Sequence, residues 1–299
     1  MTRALVIARR RKGRRMGNAV RETRVRLEAA GWNVETCLVD RKRDLRRRAK
    51  SAVKTGTDVV VAVGGDGAVL QIVQVLAGKP VALGIIPMGT GNLLAGNLGI
   101  PGDTGQAAEV LVSGDHRQID IGQLRVHGKR ELFTVACGVG FDAEVMKHTS
   151  KRAKLRWGKL AYVASAIGQR GRVRNVAHRI TLDGRRTSMR VTQVFLANFG
   201  GVGFAVEPRL EVQPDDGYLD VIAISASGPL RGLRAGWEAL RQEEHGESAN
   251  GHAYRAKARE IRIQTKSSRL VEVDGSVIGT TPITASIRPA ALMVIAPAK

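Results

Sequence analysis

The sequence predicts a parallel, doubly wound α/β domain followed by an antiparallel β-sandwich. Three observations predict it. An apolar β-branched run over residues 59–63 ends in Gly64-Gly65-Asp66-Gly67, and apolar residues of helical period follow to residue 76. A second copy comes next: residues 81–86 read as a buried strand, and Pro87-Met88-Gly89-Thr90-Gly91-Asn92 leads into a short helix. Beyond about residue 122, alternating strands and helices give way to many short strand-like runs.

In chain order, residues 4–8 read as the first strand and 9–15, rich in arginine, as a loop. The helix that follows, about 18–30, ends at Gly31, a residue able to take the left-handed conformation that closes helices. Residues 34–39 read as a second strand and 41–54, RKRDLRRRAKSAVK, as a basic helix with a solvated face. After the two glycine turns, Asp103 caps a helix to about 111, and 117–126 turn extended around Ile119-Asp120-Ile121-Gly122. Short strands are expected at 124–126, 131–136, 178–182, 188–197, 219–225, 261–265, 270–273, 284–288 and 292–295. Two helical insertions interrupt them. The first, 147–169, joins a basic head to Trp157, Leu160, Tyr162, Val163 and Ile167 and is expected to pack between domains, with a membrane-surface helix as the alternative. The second spans 229–244.

Glycines at strand-to-helix turns allow the backbone to approach a phosphate, and the helix N-terminus beyond them favours negative charge. Two such loops about two dozen residues apart would face each other across one cleft of a parallel sheet. A carboxylate among those N–H groups, Asp66, would repel phosphate unless a cation stood between them, which favours Mg²⁺.

Composition narrows the classes. With 299 residues and 43% hydrophobic content, the chain is long enough for two cored domains. Cys37 and Cys137, far apart in apolar contexts, suit a reducing cytosolic setting, and the six histidines form no metal cluster. The first apolar run is too short for a signal peptide, and prolines and glycines break the longest uncharged stretch, 80–102, so the protein is expected to be soluble or peripheral. The net charge of +21 is unevenly spread: +13 in 1–54, −2 in 55–140, +10 in 141–190 and zero in 191–299. Such blocks suit either nucleic acid or anionic lipid, where each nearby Lys or Arg contributes about 1 kcal/mol. No nucleic-acid module is recognisable, so nucleic acid is the weaker expectation.

GGDG followed at this distance by PMGTGN resembles the diacylglycerol kinase catalytic domain family, whose superfamily includes sphingosine and ceramide kinases. GGDG alone is unspecific, since it also marks NAD kinases and phosphofructokinases. The resemblance implies an ATP-binding α/β domain, residues 1–121 with the tail from about 289 to 299, a β-sandwich lipid-substrate domain, 122–288, and a nucleotide cleft between them. It implies ATP and Mg²⁺ at Gly64, Gly65, Asp66, Gly67, Ala68, Gly89, Thr90, Gly91, Asn92 and Asp120. Asp66 then bears on the metal–phosphate network or the substrate hydroxyl, and Asp274, in EVDG, is the other catalytic residue. A second, structural Mg²⁺ is implied at the Asp216 carboxylate with the backbone carbonyls of Gln213 and Tyr218.

The chain departs from the family at four places. Ala8-Arg9 replaces the usual Asn-Pro, although Gly13 and its arginines could serve the same anion; Ala68 replaces Thr, and Leu93 replaces Asp. Ser276 stands where bacterial lipid kinases carry the Glu expected as general base, and a serine of ordinary pKa cannot accept the proton. Asp66 or Asp274 takes that role, or catalysis is weak, or nucleotide binds without turnover. The expected function is an ATP- and Mg²⁺-dependent kinase of diacylglycerol or a related lipid, cytoplasmic and attached to an anionic membrane surface. A nucleotide- or lipid-binding regulator and an NAD kinase are the alternatives. Oligomeric state is left open, with a homodimer among the options.

Overall fold

A computed structural model of the protein describes residues 1–10, 14–142, 175–200, 212–225, 246–247, 253–274 and 276–298. It divides into two compact units, Met1–Ile121 with Pro289–Lys299, and Gly122–Arg288. The expected helices at 147–169 and 229–244, together with Gly13 and Gly275, lie outside the described residues.

The first unit runs β1 (Arg3–Arg9), α1 (Arg15–Ala29), β2 (Asn33–Val39), α2 (Lys42–Lys54), β3 (Val59–Gly64), α3 (Asp66–Leu76), β4 (Ala82–Pro87), α4 (Leu93–Asn97) and α5 (Thr104–Ser113). Its strands lie parallel in the order β2-β1-β3-β4. Helix α1 packs with α5, and α2 with α3. Helices on both faces explain why β3 and β4 are buried along their whole length and read as continuous apolar runs. The strand order reverses between β1 and β3, so the carboxyl ends of these strands border the crevice where doubly wound sheets bind ligands. The GGDG turn is at that edge. Helix α2 buries only Leu45, Ala49 and Ala52, leaving the solvated basic face the sequence predicts. Gly31 closes α1 with φ of 81°, and Asp103 accepts the Gln106 N–H at 3.0 Å to cap α5.

The second unit takes in the end of β5 (Asp115–Val126), then β6 (Lys129–Phe133), β7 (Ala136–Asp142), β8 (Val176–Leu182), β9 (Arg185–Val191), β10 (Gln193–Ala197), β11 (Leu219–Ile224) and β12 (Gly246–Glu247). There follow β13 (Ala253–Ala258), β14 (Glu260–Thr265), β15 (Arg269–Val273), β16 (Ser276–Thr280) and the start of β17 (Ile283–Ala296). One antiparallel sheet has the order β12-β13-β11-β10-β7-β15-β16. In the other, β14 lies antiparallel between β17 and β8, and β8 pairs with β9. These antiparallel sheets are the sandwich the sequence predicts.

Several strand boundaries differ from expectation, each for a local reason. The run 131–136 divides into β6 and β7 because the N–H groups of Thr134 and Val135 go to a carboxylate instead of a neighbouring strand. The run 188–197 divides at Thr192, between β9 and β10. By contrast, 284–288 and 292–295 are one strand, β17: Pro289 and Ala290 are exposed there, Pro289 has no N–H to leave unpaired, and Ala290 takes φ of 46°. Strand β13, rich in Ala and cations, carries little strand propensity and was not expected.

Candidate functional site

Because β3 and β4 are neighbours, with Gly64 opposite Pro87, the two glycine turns lie side by side. They touch. A Cβ on Gly65 would sit 2.8 Å from Gly89 Cα, and one on Gly89 2.6 Å from Gly65 Cα, so both positions admit only glycine. The expected pair of loops facing each other across a cleft is therefore one continuous rim. Gly64 is similarly confined, since its Cβ would lie 2.8 Å from that of Ala68.

Side chains lock this rim. Asn92, at φ of 49°, accepts the Gly89 N–H at 2.9 Å and returns its own amide to the Gly89 carbonyl at 3.0 Å. Asp66 begins α3 and through Oδ1 accepts the Leu93 N–H at the start of α4. Its Oδ2 is turned onto Gly91, where any side chain would collide with it. Ala68 and Val69 donate back to the Gly65 carbonyl, and helix geometry directs the N–H groups of Asp66 and Gly67 out of the N-terminus. Thr90 is exposed on the rim. Lys42, at the start of α2, brings its ammonium to 3.1 Å from where a Gly67 Cβ would stand. It supplies a cation beside the turn that sequence reading did not single out.

Asp120 is elsewhere in the first unit. It is 2% exposed and accepts the Ala290 N–H at 2.7 Å, holding the left-handed residue of β17 to β5.

In the second unit, Asp274 is a structural anchor. Its Oδ2 accepts the Thr134 N–H and hydroxyl, both at 2.8 Å, and its Oδ1 accepts the N–H groups of Val135 at 2.9 Å and Ala136 at 3.0 Å. Burial pushes its pKa above the usual carboxylate range, and those four hydrogen bonds oppose the shift. A carboxylate with four donors at its oxygens is poorly disposed to take a substrate proton, contrary to the role the resemblance implies. Ser276 is exposed at the start of β16. Cys137 is buried, and burial followed by the charges of Asp274 and Glu272 pushes its thiol far up, so it is inert.

Asp216 has both oxygens engaged. Oδ1 accepts the Tyr218 N–H at 2.9 Å and Oδ2 the Lys257 ammonium at 2.6 Å. Gln213 is exposed, and the Tyr218 ring lies 4.7 Å beneath the Arg259 guanidinium. Asp220, buried, is paired with Arg255 at 2.7 Å; burial raises its pKa, and Arg255 and Lys257 oppose the rise. This donor set does not fit the second Mg²⁺. Among the described residues no group of three His, Cys, Asp or Glu could hold a metal. Lys257 and Arg255 were missed because β13 was, although Lys257 stands opposite Asp220 in the register, a cross-strand pair of opposite charge.

Comparison with known proteins brings the two units under described domains. The family model of the diacylglycerol kinase catalytic domain matches residues 3–124, and that of the YegS C-terminal NAD kinase beta sandwich-like domain matches 135–296. A diacylglycerol kinase of Mycobacterium tuberculosis is 31% identical over 281 residues, covering 91% of this chain and 87% of that protein. One from Bacillus subtilis is 28% identical over 261 residues, covering 86% and 84%. The crystal structure of a diacylglycerol kinase from Bacillus anthracis str. Sterne has the same fold, with a TM-score of 0.75 at 20% identity, covering 98% of this chain and 96% of that one.

Proposed function

The chain belongs to the diacylglycerol kinase catalytic domain family, and on that premise we propose that it transfers the γ-phosphoryl group of ATP, with Mg²⁺, to the hydroxyl of diacylglycerol or a related lipid at a membrane surface. One observation carries the reading: at the carboxyl ends of β3 and β4 the turns 64–67 and 89–92 meet glycine against glycine, which gathers the start of α3, the Asp66 carboxylate and the Lys42 ammonium on one rim. Phosphoryl transfer needs positioning and charge stabilisation more than covalent help. Backbone N–H groups at the start of α3 and the Lys42 ammonium supply the positive field. Asp66 Oδ2 would hold Mg²⁺, which when bound neutralises charge developing on the transferred group. With Asp274 anchored, serine at 276 and Asp66 committed to the metal, neither aspartate is free to act as a full general base, and turnover is slow.

The membrane part of the reading draws on charge. No helix among the described residues is long and apolar enough to cross a membrane. On the exposed face of β8, β9 and β14, Arg179, Arg186 and Arg262 surround a shallow concavity of about 420 Å³ with Thr181, Gly184 and Gln264. Register aligns Arg262, Thr181 and Arg186 in one row and Gln264 with Arg179 in the next, while Ile180, Ile261 and Ile263 are buried on the opposite face. Glu260 stands at one end of this face, which stays strongly cationic. Such a surface suits reversible attachment to the anionic cytoplasmic leaflet.

A regulator that binds nucleotide without turnover is the second reading, favoured by Ser276 and by the anchoring of Asp274. Labelled ATP, Mg²⁺ and a panel of diacylglycerol, sphingosine and NAD⁺ test all three readings. Label is expected in lipid. Binding of MgATP without transfer supports the regulator, and label in NAD⁺ supports an NAD kinase.

A further inference from the structure

Asp216, Tyr218 and Asp220 recur every second residue before and into β11, and Arg255, Lys257 and Arg259 recur every second residue along β13 and just past it. The antiparallel register sets Asp220 opposite Lys257. The two series interlock: Asp220 takes the Arg255 guanidinium at 2.7 Å, Asp216 takes the Lys257 ammonium at 2.6 Å, and Tyr218 takes the Arg259 guanidinium on its ring. The Asp216–Lys257 pair is mostly enclosed, with side-chain exposures of 15% and 29%.

Magnesium demands near-octahedral oxygen coordination at about 2.0–2.1 Å. An ammonium 2.6 Å from one Asp216 oxygen stands where a divalent ion would approach and would repel it, and the other oxygen is turned to the Tyr218 backbone N–H. We infer that Lys257 is a built-in cation that takes the place of the structural Mg²⁺ its relatives are expected to hold, so that Asp216, Gln213 and Tyr218 bind no divalent metal in this protein. The ammonium neutralises Asp216 beside the buried Asp220 and ties the turn before β11 to β13. This inference is independent of the kinase reading, because it concerns stability without nucleotide.

The test uses the whole protein free of nucleotide, with melting temperature measured in EDTA and in millimolar Mg²⁺ or Ca²⁺ at matched ionic strength, alongside metal content by mass spectrometry. Wild type is expected to carry no stoichiometric metal and to melt alike in both. Lys257→Met, which strips Asp216 of its cation, should melt several degrees lower in EDTA and regain part of the loss in Mg²⁺ or Ca²⁺. Lys257→Arg, which keeps the charge, should behave as wild type and shows that the site tolerates substitution. The inference is overturned if wild type gains stability from Mg²⁺ and loses that gain on Asp216→Asn. It is also overturned if Lys257→Met melts at the wild-type temperature in EDTA.

Discussion

The carboxylate of Asp66 accepts the backbone N–H of Leu93, so one residue opens α3 and closes the turn before α4. With Gly65 against Gly89, this makes the two glycine turns a single mechanical piece. Gly89→Ala or Gly65→Ala must force the backbones apart, at a cost of about 1–3 kcal/mol. Both should lower the melting temperature and weaken MgATP binding together. Gly67→Ala meets only the end of a flexible lysine and should spare stability, which calorimetry on the three variants would read directly.

Asp274 holds the break between β6 and β7, and an amide in its place would turn an NH₂ group toward backbone donors. Asp274→Asn is expected to cost about 1–3 kcal/mol for each donor left unsatisfied. It should therefore lower the denaturant midpoint before any effect on chemistry is considered. Ser276→Glu, at an exposed position, should leave the midpoint unchanged. It should raise kcat toward the roughly 10²–10⁴-fold that a positioned general base contributes. A stable Asp274→Asn protein would contradict the anchoring role.

The parallel half of the fold was legible because strands covered on both faces appear as uninterrupted apolar runs that stop at glycine. Both turns and the caps at Gly31 and Asp103 followed from local chemistry. The second half was harder for reasons of long-range pairing. Nothing in the run from Leu132 to Cys137 signals that Thr134 donates to a carboxylate 140 residues away. Pro289 looked like a break, yet β17 continues through it with Asp120 steadying the left-handed Ala290. Among site residues, the glycines were readable as a group, but the reason for Gly65 and Gly89, contact with each other, was not. Lys42 and Lys257 carried no motif and became visible only through their neighbours.

His178 is buried in β8 with Nδ1 at 2.8 Å from the Val176 carbonyl, while its Nε2 has no hydrogen-bond partner among the described residues. Burial lowers its pKa below the ordinary 6.5; the Val176 carbonyl opposes this and the Arg269 charge adds to it. The folded state thus binds fewer protons than the unfolded one. This contribution to stability is full above about pH 6.5 and is lost as pH falls through that value toward the lower folded pKa, at up to about 1.4 kcal/mol per pH unit. Denaturant midpoints across that interval should fall for wild type, and His178→Met should flatten the slope.

Arg179, Arg186 and Arg262 changed together to Gln should leave the fold intact, since their side chains are exposed on one sheet face. Sedimentation with phosphatidylglycerol vesicles should drop, and the remaining binding should depend less on salt because each lost cation removes a screened attraction. Activity toward substrate in detergent micelles should persist while activity on vesicles declines. Unaltered vesicle binding, or tighter binding of the wild type to duplex DNA than to these vesicles, would remove this face from the account.

The central claim is phosphoryl transfer to lipid that depends on Asp66, and Asp66→Asn tests it most directly. The amide oxygen can still accept the Leu93 N–H, so the turn keeps its shape while the negative charge is lost. With labelled ATP, Mg²⁺ and diacylglycerol in mixed micelles, wild type should label the lipid slowly, and the variant, with an unchanged melting temperature, should not label it at all. Equal labelling by the two proteins, or none by wild type at saturating MgATP, would contradict the account.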